Sequence, residues 1–169
     1  RKCVYRFAPF LAETIRSILW SHQNKLQCLV LVRWVQHARL IEKMLLDYIP
    51  ARDISYVDGQ VSKREREGAL GAFESGKTKV MVANQVIGEG KDLYNVDTLV
   101  LAGGGRARHT LYQNIGRGVR PKKGRSNVLR VIHIFSGRHH RFQDQALQSI
   151  KSYRKKEKMG VYYIHATAP

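Results

Sequence analysis

A chain of 169 residues is long enough to bury a core without disulfides or a structural metal, and its 43% apolar content fits one folded domain. No apolar run is long enough for a membrane helix, and no basic-then-apolar leader opens the chain, so a membrane partner is not expected. The formal charge of +17 excludes a neutral surface and points to a polyanionic partner, with nucleic acid foremost.

The predicted elements run in chain order as follows. Residues 8–22 read as an amphipathic helix with Phe10, Leu11, Ile15, Ile18 and Leu19 on one side. Gln27–Val32 is a short apolar run without alternation, as in a buried parallel strand. Residues 35–48 form a second helix, with Ala38, Ile41, Leu45 and Tyr48 near helical spacing. Ile54–Val57 is a strand, and Asp58-Gly59 turns the chain. Ser62 caps the next helix, with Glu65 three residues on in capping-box spacing, and Ser75-Gly76 stops it. Lys79–Ala83 and Thr98–Ala102 are further buried strands. A helix follows over 108–117, a strand over 128–135, a basic helix over 141–158 and an edge strand over 161–164. Strands alternating with helices predict an α/β fold with a parallel, helix-covered sheet.

Charge is concentrated late. Between Arg117 and Lys158 there are thirteen Lys/Arg against two acidic residues, Asp144 and Glu157. Residues from about 138 to 169 therefore read as a basic helical extension of a single domain spanning 1–169. Cys3 and Cys28 form no CxxC pair, and His139 and His140 are adjacent rather than one helical turn apart, so no metal site is expected. Two scattered cysteines fit a reducing, cytoplasmic compartment.

One motif is refused. Gly71–Thr78 matches GxxxxGK[ST], the phosphate loop of many ATPases. A phosphate loop needs a strand before it and a helix after it, so that helix N-terminal amides face the phosphates. Here a helical segment precedes and KVMVA follows. Gly76 then falls at a helix C-terminus, where carbonyls repel anions. Gly103-Gly104-Gly105 lacks dinucleotide-loop spacing and reads as a turn.

Three segments remain, in fixed order. Asp58-Gly59 leads into the helix carrying Lys63 and Arg66. Asn84-Gln85-Val86-Ile87-Gly88-Glu89-Gly90-Lys91-Asp92-Leu93 follows a strand. Gln113-Asn114-Ile115-Gly116-Arg117-Gly118-Val119-Arg120 closes the series. Over roughly residues 8–136 this resembles the C-terminal RecA-like lobe of superfamily 2 helicases. CLVLV corresponds to their motif IV strand, 83–93 to motif V and 113–120 to motif VI. Val119, where DEAD-box proteins carry Gly, makes the last motif more similar to the UvsW, XPB and restriction-enzyme branch.

The resemblance implies a RecA-like sheet with helices on both faces, in the second motor lobe of an ATP-dependent DNA helicase or translocase. Arg117 and Arg120 are its expected catalytic arginine fingers, three apart and so able to share a helix face. Gly90, Asp92, Gln113 and Gly116 are the expected nucleotide-side residues. Gly59, Arg66, Asn84, Gln85, Lys122 and Lys123 are the expected nucleic-acid contacts. Asn84 and Gln85 stand where relatives often carry Thr and Asp. The implied partners are DNA, with RNA as an alternative, and an N-terminal P-loop lobe of the same protein. ATP with Mg²⁺ is the implied ligand, held mainly by that first lobe. Neither a strand–P-loop–helix unit nor an acidic DExx motif precedes motif IV, and the sequence opens at Arg1. The expectation is a piece of a longer protein that does not hydrolyse ATP alone. Two other readings stay open: a non-catalytic basic nucleic-acid-binding module on a RecA-like fold, and an independent ATPase using Lys77.

Overall fold

A computed structural model describes residues 2–21, 26–84, 95–102, 128–133, 144 and 147–151. Helix α1 spans Lys2–Ser21, strand β1 Cys28–Val32 and helix α2 Val35–Leu46. A single 3-10 turn, Ala51–Asp53, leads into β2, Ile54–Val57. Helix α3 covers Lys63–Glu74, followed by β3 Val80–Asn84, β4 Thr98–Leu101 and β5 Arg130–His133. The five strands form one sheet in the order β2-β3-β1-β4-β5, and every pairing is parallel.

The sheet is buried on both faces, and this is why its strands lack polar alternation. The period of two persists inside the apolar runs and sorts side chains between two cores. Cys28, Val30, Val32, Val80, Val82 and Val100 pack under α1 and α2 with Leu11, Ile15, Ile41 and Leu45. Leu29, Leu31, Met81, Ala83, Leu99 and Leu101 pack on the other face with Leu70 and Phe73 of α3. Helices therefore cover both faces, and the chain has the α/β architecture predicted from the alternating elements.

The differences lie at edges. Helix α1 begins before residue 8 and carries Pro9 inside it, although proline cannot donate to the carbonyl four residues back. Phe10 is exposed while Ala12 is fully buried, so the buried stripe is Leu11, Ala12, Ile15 and Leu19. Tyr48 lies beyond the end of α2 and is exposed. Gln27 precedes β1 as a buried connector rather than a strand residue. Its Nε2 donates to the Phe73 carbonyl at the end of α3, and its backbone N–H donates to Asp97 Oδ2 at 2.8 Å. The helix expected over 108–117 and the strand over 161–164 lie outside the described residues. Of the basic helix expected over 141–158, residues 144 and 147–151 are described and are helical.

Candidate nucleotide and nucleic-acid edge

Because all strands run parallel, their C-terminal ends share one edge, the usual place for ligands in open α/β sheets. Val32 of β1 is in register with Asn84 of β3, and Val57 of β2 with Ala83. Arg33-Trp34, Asp58-Gly59 and Asn84 therefore emerge side by side. On the far side of β1, Leu101 of β4 is in register with Leu31, and His133 of β5 with Leu101. Burial holds the His133 imidazole below its ordinary pKa, which favours the neutral form.

Asp58 organises the edge after β2. Its Oδ1 accepts the backbone N–H of Gln60 at 2.7 Å and of Val61 at 3.1 Å, an Asx-type turn into α3. Its Oδ2 accepts the Tyr56 hydroxyl at 2.8 Å and lies 3.7 Å from Arg39 Nη2. Arg39 also donates to Gln60 Oε1 at 2.9 Å. Burial alone would raise the Asp58 pKa; the Tyr56 hydroxyl, the two amides and the Arg39 charge outweigh it and hold the carboxyl below its usual range. Tyr56 moves the opposite way, pushed up to about 12 by burial and by the hydrogen bond to Asp58.

Helix α3 then starts on a complete capping box. Ser62 Oγ accepts the Glu65 amide, and Glu65 Oε2 accepts the Ser62 amide at 3.0 Å. Gly59 is exposed in the preceding turn. Arg66, one turn into the helix, is half-buried, and its Nη2 donates to the Val61 carbonyl at 3.4 Å. Asn84 is buried at the last position of β3. Of the expected nucleic-acid contacts, the structure thus brings Gly59 and Asn84 to one edge, with Arg66 turned back on the loop that carries Gly59. Gln85, Lys122 and Lys123 lie outside the described residues. So do Gly90, Asp92, Gln113 and Gly116, and the expected fingers Arg117 and Arg120.

The refused phosphate loop is helix-then-strand, as its context implied. Gly76 adopts φ 75° and ends α3, with its N–H on the Phe73 carbonyl at 3.0 Å. The Thr78 amide donates to the Ala72 carbonyl at 3.1 Å, and its hydroxyl is 2.8 Å from Ser55 Oγ. Lys79 Nζ donates to the Gly76 carbonyl at 2.8 Å, while Lys77 is exposed. The hydroxyl and Thr78 amide of a would-be phosphate cradle are already spent inside the protein. This segment also follows α3 and enters β3 at the N-terminal end of the strand, opposite the candidate edge.

Sequence reading missed the full role of Asp58, taken only as a turn residue, and missed Trp34 at the end of the motif IV strand. Tyr56, two residues before Asp58 and on the same side of β2, was the available signal for the first. An aromatic at a helix-cap position was the signal for the second.

Comparison with known proteins joins these observations. Residues 11–122 match the helicase conserved C-terminal domain. The chain belongs to that family. It is 29% identical over 120 residues to the DNA 3'-5' translocase XPB2 of Sulfurisphaera tokodaii, covering 71% of this chain and 26% of that protein. It is 27% identical over 122 residues to the ATP-dependent RNA helicase DBP3 of Debaryomyces hansenii, covering 72% and 22%. Among solved structures, T4 UvsW superposes with a TM-score of 0.67 at 17% identity, over 89% of this chain and 32% of that one; at that identity the likeness concerns the fold. This helicase C-terminal domain therefore spans about a quarter of the length of these curated relatives. The matched region runs from within α1 through the motif VI segment, and β5 lies after it.

Proposed function

We propose that this chain is the second motor lobe of an ATP-dependent DNA translocase or helicase. The observation that carries the reading is topological. The motif V segment begins at the C-terminal end of β3, and the segment holding motif VI follows the C-terminal end of β4. These two strands flank β1, so the chain leaves the described sheet toward each motif at the same edge, on either side of the central strand. ATP would sit between this edge and a P-loop lobe, which would hold the triphosphate and Mg²⁺. This chain's own phosphate-loop lookalike is not built for that task. Its contribution is guanidinium charge from Arg117 and Arg120, aimed at the charge that develops as the γ-phosphoryl group leaves. Gly90, Asp92, Gln113 and Gly116 would line the nucleotide side. Gly59, Arg66, Asn84, Gln85, Lys122 and Lys123 would track the nucleic-acid backbone. DNA is favoured over RNA by the similarity to a DNA translocase and by Val119 where DEAD-box proteins carry Gly.

The test is kinetic. In the full-length motor, Arg117→Ala or Arg120→Ala lowers DNA-stimulated kcat by roughly a hundredfold or more, at least about 2.7 kcal/mol of transition-state stabilisation. Lys at either position does not rescue, because ammonium lacks the planar fork. DNA affinity without nucleotide stays within a few fold of the parent. Normal hydrolysis coupled to lost DNA binding would instead make these arginines backbone contacts.

A further inference from the structure

Trp34 stands at the same edge, and nothing in the fold explains it. It is the N-cap residue of α2, with φ −116° and ψ 135°, yet its side chain makes no capping hydrogen bond. Its carbonyl accepts the amides of His37 and Ala38 at 3.0 and 3.1 Å, a role any residue can fill. Caps favour Ser, Thr, Asp or Asn, and an indole forgoes that stabilisation. The residue is 57% exposed and belongs to neither core. Arg33 lies over it, 5.1 Å from guanidinium carbon to ring centroid.

We infer that Trp34 is a stacking platform for an unpaired nucleobase, with Arg33 behind it as the charge for an adjoining phosphate. Arg33 lies over one ring face, and the exposure of the residue leaves indole surface for a base. A guanidinium stacked on indole keeps its N–H groups at the rim, where a phosphate oxygen can reach them. The positive end of the α2 dipole adds to the attraction for phosphate at the same point. A chain of charge +17 draws a polyanionic strand more readily than an apolar protein surface. Aromatic rings beside cationic groups are the usual means of holding single strands without reading their sequence. Trp34 follows the strand in register with Asn84, so a base on it would lie beside the strand end where motif V begins. This inference rests on the nucleic-acid reading above and adds a base contact to a set made of backbone contacts.

The chain has two tryptophans, and the second supplies a control. Trp20 is 78% exposed near the C-terminal end of α1, which leads to the N-terminal end of β1 and so away from this edge. Trp20→Phe leaves Trp34 as the only tryptophan, read by selective indole excitation, and Trp34→Phe leaves Trp20. Each variant is titrated at low salt with a short oligothymidylate and with an abasic strand of the same length. The thymidylate strand quenches Trp34 and the abasic strand does not, while Trp20 responds to neither. Trp34→Ala weakens thymidylate binding by roughly fivefold to a hundredfold, the worth of one stacked base. It leaves abasic-strand affinity and the slope of affinity against salt unchanged, because no phosphate contact is removed. Trp34→Phe keeps most of the affinity. If Trp34→Ala binds thymidylate like the parent, with the usual salt dependence, the platform is wrong and the nucleic-acid reading stands. If the parent chain binds neither strand at low salt, both fall. A Trp34 signal that follows protein concentration without any strand makes the surface a self-contact and overturns the inference.

Discussion

Asp58 illustrates how much one buried carboxylate can carry when its partners differ in kind. Its side chain is fully buried, whereas the Arg39 side chain 3.7 Å away is 61% exposed. The ion pair is therefore screened and worth little, at most about 1 kcal/mol. The hydroxyl of Tyr56 and the amides of Gln60 and Val61 are held by direct hydrogen bonds to the buried carboxylate, and each loses its acceptor if the carboxylate goes. Asp58→Ala is expected to destabilise the chain by about 2–3 kcal/mol, and Arg39→Ala by less than about 1 kcal/mol. Urea denaturation of the two variants compares them, and equal losses would mean that the ion pair, not the turn, is the stabilising contact. The sequence made Asp58-Gly59 legible as a turn because Asp and Gly are turn residues at any exposure. It did not make the buried network legible, since Arg39 and Asp58 are brought together only when α2 packs beside β2.

At the scale of elements, local signals and structure agree best where the chain must satisfy its own backbone. The capping box at Ser62 and the stop at Gly76 were readable because orphan amides and carbonyls demand particular residues at particular offsets. The strands were readable as buried runs, while their order in the sheet was not, since pairing is long-range. Helix α1 begins at Lys2 rather than at residue 8, with Pro9 inside it, so its start was not legible from the apolar spacing. Helix α3 offers a sharp test of this local physics, because the same substitution should act with opposite signs along it. A Cβ at Gly68 or Gly71 meets nothing within 4 Å, so Ala there removes only backbone entropy and stabilises by about 0.5–1 kcal/mol each. Gly76 has equal space but sits at φ 75°. Ala there costs about 1–2 kcal/mol from the left-handed backbone alone. Thermal or urea unfolding of the three variants reads the signs; a stabilising Gly76→Ala would mean that the stop relaxes without its left-handed turn.

For the whole molecule, the candidate site is only partly a property of the described sheet. The motif V and VI residues were recognisable through residue identity and order, and the chemistry proposed for them requires a second lobe. No helix among the described residues is long and apolar enough to cross a membrane. The late basic run and the +17 charge make nucleic acid the expected large partner, and phosphate contacts of that kind weaken steeply as salt rises. Arg33 and Trp34 could not be ranked above other exposed residues from sequence, because their significance comes from the parallel register that sets them beside Asn84.

The buried titratable groups bound the pH range over which this fold is stable. Burial lowers the pKa of His37 and that of His133. Both imidazoles are therefore neutral when folded but take up protons near 6.5 when unfolded. The unfolded state then binds more protons, so stability is complete above about 6.5 and falls as pH drops below it. On the alkaline side the signs reverse. Burial pushes the Cys28 thiol from 9.0 up to about 12, with Arg130 opposing, and Tyr56 rises from 10.0 to about 12. Both groups stay protonated when folded and ionise earlier when unfolded. Stability is thus complete below about 9 and is lost progressively as pH rises toward 12. The expected profile is a plateau from about 6.5 to 9 with a shoulder on each side, measured as the urea midpoint at a series of pH values. Cys28→Ala should move the start of the alkaline loss from about 9 to about 10, where Tyr56 takes over. His37→Gln combined with His133→Gln should flatten the first unit of the acid shoulder. An alkaline loss that still begins at 9 in Cys28→Ala would mean that deprotonation elsewhere, outside the central strand, sets the upper limit.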